Sequence, residues 1–258
     1  MAWVTVPGSN NIWEFENTAT SSDTYPDAAG TYSGGIRTYT KPGTSDTVTT
    51  YARTRIKGEI NLYTRSEEFD NAGWSKTNCT ITANSTADPN GDITADAFLE
   101  NAGGGAKNVY QVTNFVTGTQ YTISVFAKTN GRFLQLYSSG LLGGSTTFAN
   151  FNLTTGTLGN VGAGVDNATI EDYGNGWFRC SLTSTSLITS ATAYGVSLIQ
   201  NDTVGRNPSY TGDGTSGIFL WGAMLSEGAI VKRYIKTTGS VSTTIERGEL
   251  SKTYYDGQ

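Results

Sequence analysis

The sequence contains no histidine and only two cysteines among its 258 residues, and charged residues make up only 15%. Without an imidazole, the usual nucleophile–base arrangements lack the side chain that changes charge near neutral pH. The two cysteines, Cys79 and Cys180, are about a hundred positions apart and have no metal-type CxxC spacing. We interpret them as two small buried hydrophobes, with a long-range disulfide as the alternative.

Long apolar runs and an excess of positive charge are also lacking. No stretch approaches the roughly 18 apolar residues of a membrane-spanning helix. Met1–Pro7 has neither the basic start nor the apolar centre of a signal peptide. The net charge is −5, so the basic surface that binds a polyanion is missing. We therefore expect no nucleic-acid binding and no membrane insertion. If the protein reaches an exterior surface, we expect it to do so without its own export signal, for instance as part of an assembled particle.

What the chain does have is glycine, with 32 residues, and aromatic side chains, at 11%. This mixture, rich also in Thr, Ser and Asn, favours many short strands joined by polar turns, and therefore an antiparallel β-sandwich. The stretch Ser209–Leu225 begins with a turn cluster around Asp213 and continues into the apolar run Ile218–Leu225. Such a run is typical of a central strand that is covered on both sides. We expect Trp74 and Trp221 to be core residues.

The ends of the chain predict a separate small unit. Residues 1–58 contain four strand patterns, and residues 248–258 resemble one more strand with a tail. The dipeptide Gly-Glu occurs at 58–59 and again at 248–249, where the small unit would be left and re-entered. We predict a discontinuous domain, 1–58 plus 248–258, into which residues 59–247 are inserted as the sandwich. A simple tandem arrangement with a C-terminal extension is the alternative.

Strand parity supplies candidate sugar-binding residues. In the segments 133–137, 148–153 and 177–182, alternate residues suit the core, and the others should face outward. Exposed aromatic rings next to planar polar side chains suit a pyranose, which offers CH groups to a ring and hydroxyls to forked partners. The alternative is that these aromatic residues pack against the small domain or a neighbouring subunit. If the strands share a sheet, its outer face carries Gln135, Tyr137, Asn150, Trp177 and Arg179.

Several motifs of the central region carry a family resemblance. They are Asn61–Thr77, Asp88–Gly91 with Thr94–Asp96, Tyr121–Lys128, Phe151–Gly156, Gly174–Ser181, Tyr210–Leu225 and Tyr234–Gly239. Together they resemble the phage head spike fibre domain, which is similar in appearance to jelly-roll carbohydrate-binding modules. The resemblance implies a two-sheet jelly roll on a virion component. Residues 1–58 and the last 11 residues resemble short virion proteins of environmental phages, which implies a particle-anchoring part.

The same resemblance implies a structural calcium ion, because jelly-roll carbohydrate-binding modules often hold one. Carboxylate donors are abundant, but no EF-hand spacing is present, so solvated loop acids are the alternative. The candidate calcium ligands are Glu67, Glu68, Asp70, Asp96 and Asp213.

Catalysis is not expected. The closest carboxylates, Glu67 and Glu68 with Asp70, and Glu171 with Asp172, lie beside turns, where acidic side chains are usually solvated. The run Gly103–Gly105 lacks the remainder of a phosphate-binding loop.

These observations predict a non-enzymatic bacteriophage virion structural protein, assembled in the host cytoplasm and located on the virion surface. It would be a head or tail appendage whose sandwich contacts host-surface polysaccharide, with other virion proteins as partners and no required cofactor. A capsid decoration or cement protein without a ligand is the alternative, and a soluble glycosidase is a third hypothesis. By family analogy we expect a homo-oligomer, with a trimer favoured.

Overall fold

The computed structural model describes residues 60–138 and 146–239 with their side chains, and the backbone of seven short strands outside these ranges. Contacts between Cα atoms divide the chain into two units, one of Met1–Glu59 with Thr244–Gln258 and one of Ile60–Thr243. The boundaries predicted after residue 58 and before residue 248 stay predictions. The strand predicted within 248–258 lies outside the described residues.

The first unit contributes six described strands to two three-stranded antiparallel sheets. The strands are β1 (Trp3–Thr5), β2 (Ile12–Phe15), β3 (Thr31–Ser33), β4 (Ile36–Thr40), β5 (Thr47–Tyr51) and β6 (Thr54–Ile56). One sheet has the order β1-β2-β6 and the other β3-β4-β5. Strands β5 and β6 follow each other closely in the chain but lie in different sheets.

The described part of the second unit contains strands and no α-helix. The strands are β7 (Ile60–Asn61), β8 (Ser75–Thr77), β9 (Cys79–Ala87), β10 (Ile93–Glu100), β11 (Lys107–Phe115), β12 (Gln120–Asn130), β13 (Phe133–Ser138), β14 (Phe148–Asn152), β15 (Thr157–Val161), β16 (Asn167–Gly174), β17 (Trp177–Thr185), β18 (Ser190–Ile199), β19 (Gly217–Glu227) and β20 (Ser242–Thr243). Turn residues separate them, as the composition predicted.

Twelve of these strands form two six-stranded antiparallel sheets that pack face to face. Sheet I has the order β16-β17-β12-β19-β10-β9, and sheet II has the order β15-β14-β13-β18-β11-β8. The remaining two strands, β7 and β20, pair with each other. The predicted all-β sandwich is confirmed.

The space between the sheets is filled by one apolar cluster. Leu134, Leu136, Cys180 and Leu182 belong to it, so the inward faces predicted for β13 and β17 are confirmed. Trp74 also belongs to the cluster. Its ring centroid lies 5.0 Å from that of Tyr63 and 4.9 Å from that of Phe69. The predicted core position of Trp74 is confirmed as well.

Strand β19 is the central strand that the apolar run predicted. It lies between β12 and β10 in sheet I, and its side chains are buried on both faces over most of its length. The pairing with β12 shifts between Ser124 and Phe126, opposite Gly222, whose φ is 61°. A glycine suits this irregularity because only glycine adopts positive φ without strain.

Both cysteines are free thiols in this structure. Cys180 lies in the core, and the half-buried Cys79 packs against the same cluster. Burial raises the pKa of the Cys79 thiol to about 11. The interpretation of both residues as small hydrophobes is therefore supported, and the alternative disulfide is not formed.

Candidate functional site

The five predicted sugar-binding residues do not lie on one surface. Gln135, Tyr137 and Asn150 are on β13 and β14 of sheet II, whereas Trp177 and Arg179 are on β17 of sheet I. All five point away from the core, as parity predicted, but from opposite faces of the sandwich. The condition that these strands share a sheet is not met, so the single outer surface that united them is wrong.

Gln135 and Asn150 are also buried, because the 201–208 loop covers them. The Gln135 amide donates to Asn150 Oδ1 at 2.7 Å and to the Gly205 carbonyl at 3.0 Å. The Asn150 amide donates to the carbonyls of Asp202 and Val204, at 3.1 and 2.7 Å. These two side chains supply the hydrogen bonds that water would otherwise donate to the carbonyl groups of the loop. Their predicted exposure is wrong, because their hydrogen bonds are used within the fold.

Tyr137 is buried on the same outer face. Across the sheet it pairs with Phe148 on one side and Gly195 on the other. Burial raises the pKa of its hydroxyl well above the ordinary value. The predicted accessible ring is therefore wrong as well.

Trp177 and Arg179 belong to a buried aromatic layer on the outer face of sheet I. Trp177 donates its indole N–H to the Ala87 carbonyl at 3.1 Å. Arg179 stacks over the ring of Phe126, with its guanidinium carbon 5.3 Å from the ring centroid, and donates to the Lys232 carbonyl at 2.6 Å. Both side chains are covered, so neither presents the open platform that was predicted.

A strap formed by residues 228–238 covers much of this layer. Tyr234 of the strap packs against Trp221, with ring centroids 4.9 Å apart, and its hydroxyl donates to Glu67 Oε1 at 2.9 Å. Trp221 is thus buried, as predicted, but on the outer face of sheet I and not between the sheets. The strap explains why an aromatic-rich outer face is largely closed to solvent.

Tyr173 is the accessible part of the aromatic layer, and parity did not single it out. It is 42% exposed and is the one aromatic residue among the exposed large hydrophobic side chains of the described ranges. Its ring meets Phe126 edge-on, with centroids 4.8 Å apart and planes at 86°. It directly precedes the β16–β17 turn, where Gly174, Asn175 and Gly176 all have positive φ. The signal in the sequence was an aromatic residue beside a glycine-rich hairpin turn.

Polar side chains flank Tyr173 along β16 and near the turn that follows it. On β16, Glu171 and Asp172 are exposed, and Asp172 accepts a hydrogen bond from the Gly174 N–H at 2.8 Å. The stem of Lys128 lies over the backbone of Gly176. An exposed ring can stack on a sugar face, and the exposed carboxylate of Glu171, two residues before it on β16, can hydrogen-bond sugar hydroxyls. Tyr173 with its neighbours is therefore the candidate binding site.

The predicted calcium ligands have other partners. Asp96 is buried and accepts the backbone N–H groups of Phe69 at 2.8 Å and Asn84 at 2.9 Å. Glu67 accepts from Tyr234 and from Lys236. Within the described ranges, no group of three or more His, Cys, Asp or Glu side chains is placed to hold a metal ion. A calcium site that includes Glu68, Asp70 and Asp213 as well stays a prediction from the resemblance.

The carboxyl group of Asp96 has an unusually high pKa. Burial raises its pKa to about 6, against the lowering effect of its hydrogen bonds from backbone N–H groups. The carboxyl group fastens the turn around Phe69 and a bend at Asn84, where φ is 52°, to strand β10. Its environment indicates a structural role.

The glycine-rich turn before β19 is held by a buried ion pair that sequence reasoning missed. Glu100 accepts hydrogen bonds from Arg132 at 2.8 and 2.6 Å, from the Tyr210 hydroxyl at 2.7 Å and from the Asp213 N–H at 2.7 Å. Burial alone would raise the pKa of Glu100, but these hydrogen bonds, that of Arg132 first, outweigh it and lower the pKa. The pair joins β10, the turn after β12 and the turn before β19.

Asp213 closes that turn with its own hydrogen bonds. Its carboxylate accepts from the Ser216 hydroxyl and N–H and from the Thr215 N–H, and it also pairs with Arg132 at 3.1 Å. The hydrogen bonds from Ser216, with that from Thr215, lower the pKa of Asp213 far below its ordinary value. The turn is therefore fastened by side chain to backbone contacts that are typical of Asp in turns.

Comparison with known proteins adds no family to this geometry. The chain matches no protein-family model, and no curated protein matches its sequence. Among the residues that the structure describes, no helix is long and apolar enough to cross a membrane. The resemblance to the phage head spike fibre domain stays a prediction that rests on the motifs quoted above.

Proposed function

We propose that this chain is a non-enzymatic structural protein of a bacteriophage particle, displaying a jelly-roll sandwich on the virion surface as a head or tail appendage. The observation that carries the proposal is the sandwich itself. It has two complete sheets, and the chain's own 201–208 loop and strap cover Gln135 and Asn150 on one outer face and Trp221 and Arg179 on the other. Such a self-contained module suits display on a particle that must survive outside a cell.

The order of the strands supports the jelly-roll part of the proposal. Strand β10 pairs with β19, β11 with β18, β12 with β17, and β13 with β14. The eight strands thus pair like one long hairpin, and successive pairs lie alternately in sheet I and sheet II. A hairpin wrapped in this way gives the two four-stranded sheets of a jelly roll.

The division of the chain supports the insertion. Residues 60–243 form one unit by their contacts, while segments from both ends of the chain group in the other. We propose that the discontinuous unit anchors the protein to other virion proteins. Chain ends that belong to one unit allow the inserted sandwich to project from a surface loop.

The contacts of the carboxylates support a role without catalysis. Glu67 bonds to Tyr234 and Lys236, and Asp172 bonds to its own turn. Glu100 is neutralised by Arg132. These groups hold loops in place, so their hydrogen bonds are used within the fold.

Host-surface polysaccharide is the ligand that the exposed Tyr173 suits best. The test is binding of the full chain to an array of bacterial surface polysaccharides, with Tyr173→Ala and the control Leu158→Ala. Leu158 is 41% exposed, nearly the same exposed fraction as Tyr173. It lies on β15, at the edge of sheet II, and Tyr173 lies on sheet I. We expect Tyr173→Ala to weaken binding roughly tenfold or more, equivalent to ~1.4 kcal/mol, and Leu158→Ala to bind like wild type.

Two results would contradict the proposed binding of polysaccharide at Tyr173. One is binding that Tyr173→Ala leaves unchanged, and the other is no binding to any polysaccharide. The second result would favour the alternative function, a capsid decoration protein without a ligand. That alternative is favoured by the burial of all five residues first predicted to bind sugar. It predicts capsids that burst more readily when the protein is missing.

A further inference from the structure

The side chain of Lys107 is fully buried, and its ammonium group is enclosed by main-chain carbonyl oxygens. Nζ donates to the carbonyl groups of Gly103 and Gly105, each at 2.9 Å, and to that of Tyr210 at 3.1 Å. It also lies 4.6 Å from the centroid of the Tyr210 ring. All three N–H donors of the ammonium group are thus used on backbone oxygens, and the ion pairs of the described ranges do not include Lys107.

Two loops without regular structure close around this ammonium group. They are the glycine-rich loop 101–106 and the turn 210–216 before β19. A Cβ atom at Gly212 would lie 2.2 Å from the carbonyl oxygen of Asn101 and 2.8 Å from Cε of Lys107. Only glycine, which has no Cβ, allows the turn to approach the lysine stem so closely. The positive charge therefore lies at the point where the two loops meet.

Lys76 repeats this arrangement at the turn before β8. Its side chain is half-buried, and Nζ donates to the carbonyl groups of Asp70, Asn71 and Trp74 at 3.0, 2.8 and 3.0 Å. The Asn71 carbonyl also accepts the Trp74 N–H, so the turn and the ammonium group share this oxygen. One ammonium group among three backbone carbonyls thus recurs at a second turn of the same domain.

Both turns contain residues for which the family resemblance implies calcium. The first turn contains the candidate ligands Glu67, Glu68 and Asp70, and the second contains Asp213. Calcium takes about six to eight oxygen ligands, with carboxylates among them, at about 2.3–2.6 Å. Here three uncharged oxygens surround each nitrogen, at 2.8–3.1 Å. The number, charge and distance of these oxygens fit an ammonium group and do not fit calcium.

The carboxylates of the two turns are engaged in other contacts. Asp213 accepts from the Ser216 hydroxyl and from Arg132, and Glu68 forms an ion pair with Arg65. A divalent ion that used these carboxylates would have to displace their present donors. The positive charge at each turn is instead provided by a lysine.

We propose that the ammonium groups of Lys107 and Lys76 are the structural cations of this sandwich, in the place that bound calcium would have at these two turns. Carbonyl dipoles that converge on one point are stabilised by a positive charge there. Each lysine supplies that charge as part of the chain, so the charge cannot dissociate or be chelated. The two turns therefore keep their structure in a medium without divalent ions, whether or not the sandwich binds a glycan.

The test is cation rescue, measured as urea midpoints by tryptophan fluorescence. Lys107→Ala leaves three carbonyl groups around a space that a monovalent cation can enter, and backbone carbonyls can replace the hydration shell of K⁺. We expect its midpoint to fall by roughly 1 M. Potassium or ammonium chloride should restore part of this loss, and lithium chloride at the same concentration should not. Lys107→Met fills the space with an apolar side chain, so it should lose stability without any recovery.

Three controls complete the experiment. Wild type in each salt gives the general effect of salt, and wild type with a chelator should keep its midpoint in calcium. Lys232→Ala removes another half-buried lysine whose carbonyl, and not its ammonium group, serves the strap, so it should change little. If Lys107→Ala does not fold, Lys76→Ala is compared in the same three salts.

Three results would overturn the proposal. The first is a wild-type midpoint that falls when calcium is chelated. The second is a lysine variant at either turn that is as stable as Lys232→Ala. The third is a recovery in potassium or ammonium chloride that is no greater than the recovery in lithium chloride.

Discussion

The ion pair between Glu100 and Arg132 offers the sharpest test of how the glycine-rich turn is held. Arg132→Met keeps much of the apolar stem but removes all three charge-assisted hydrogen bonds that the guanidinium makes to Glu100 and Asp213. The Glu100 side chain is fully buried, so its charge loses its counter-ion without gaining water. Loss of one partner from a buried pair costs roughly 3–5 kcal/mol. Glu100 keeps two other donors, so we expect a loss near the lower value, about 3 kcal/mol.

The assay is urea unfolding followed by tryptophan fluorescence. Arg65→Met is the matched control, because Arg65 forms an ion pair with Glu68 at 3.0 Å in which both side chains are more than one-third exposed. We expect that control to lose less than about 1 kcal/mol. Adding Glu100→Gln to Arg132→Met should restore part of the stability, because residue 100 then no longer carries a buried charge without its Arg132 partner. Equal losses in Arg132→Met and Arg65→Met would refute this reasoning.

Two further variants test other parts of the structure. Asp96 has a folded pKa of about 6, above its ordinary 3.8, so its ionisation opposes folding. The free energy of unfolding should therefore rise as the pH falls from 7 towards 4.5, by at most ~3 kcal/mol. Asp96→Asn should abolish that rise in urea midpoints measured across this pH range, and an unchanged pH dependence would contradict the assignment. At lower pH, loss of the depressed Glu100 and Asp213 ionisations should reduce stability again. The Asn207 N–H donates to Gln135 at 2.6 Å, so Gln135→Leu leaves this N–H without its partner. We expect the free energy of unfolding to fall by roughly 1–3 kcal/mol, and proteolysis at 201–208 to be faster. A change within about 0.5 kcal/mol would indicate that residue 135 is exposed.

Local alternation was enough to predict part of this fold. The inward positions of Leu134, Leu136 and Leu182 follow from a period of two along each strand, which neighbouring residues alone determine. The central position of β19 follows from an apolar run that no half-exposed strand would carry. These features depend on short-range sequence, and the structure confirms them.

The sheet to which each strand belongs was not predictable in the same way. Strands β15 and β16 are neighbours in the chain, yet one lies at the edge of sheet II and the other at the edge of sheet I. Packing between the sheets decides such a crossing, and parity along one strand carries no information about it. For this reason Trp177 and Asn150 were assigned to one surface although they lie on opposite faces.

The covering of the outer faces was missed for a related reason. The 201–208 loop has a polar, glycine-containing sequence that resembles a solvated connection, and the strap mixes apolar residues such as Ile230 and Ile235 with Lys232, Arg233 and Lys236 without the alternation of a strand. Both segments bring backbone carbonyl groups to the sheets, which accept from Gln135, Asn150 and Arg179. A carbonyl group is present at every residue, so no side-chain pattern indicates where it will bond. Glu100 and Arg132, 32 positions apart, were missed likewise because they meet only through the pairing of distant strands.

Display of the sandwich on a phage particle is the central claim, and cryo-electron microscopy of intact particles tests it most directly. The account predicts density for a two-sheet sandwich of residues 60–243 projecting from the head or tail, attached through the unit that contains both chain ends. Particles that lack such density, with the protein remaining in the soluble fraction of the lysate, would contradict the claim.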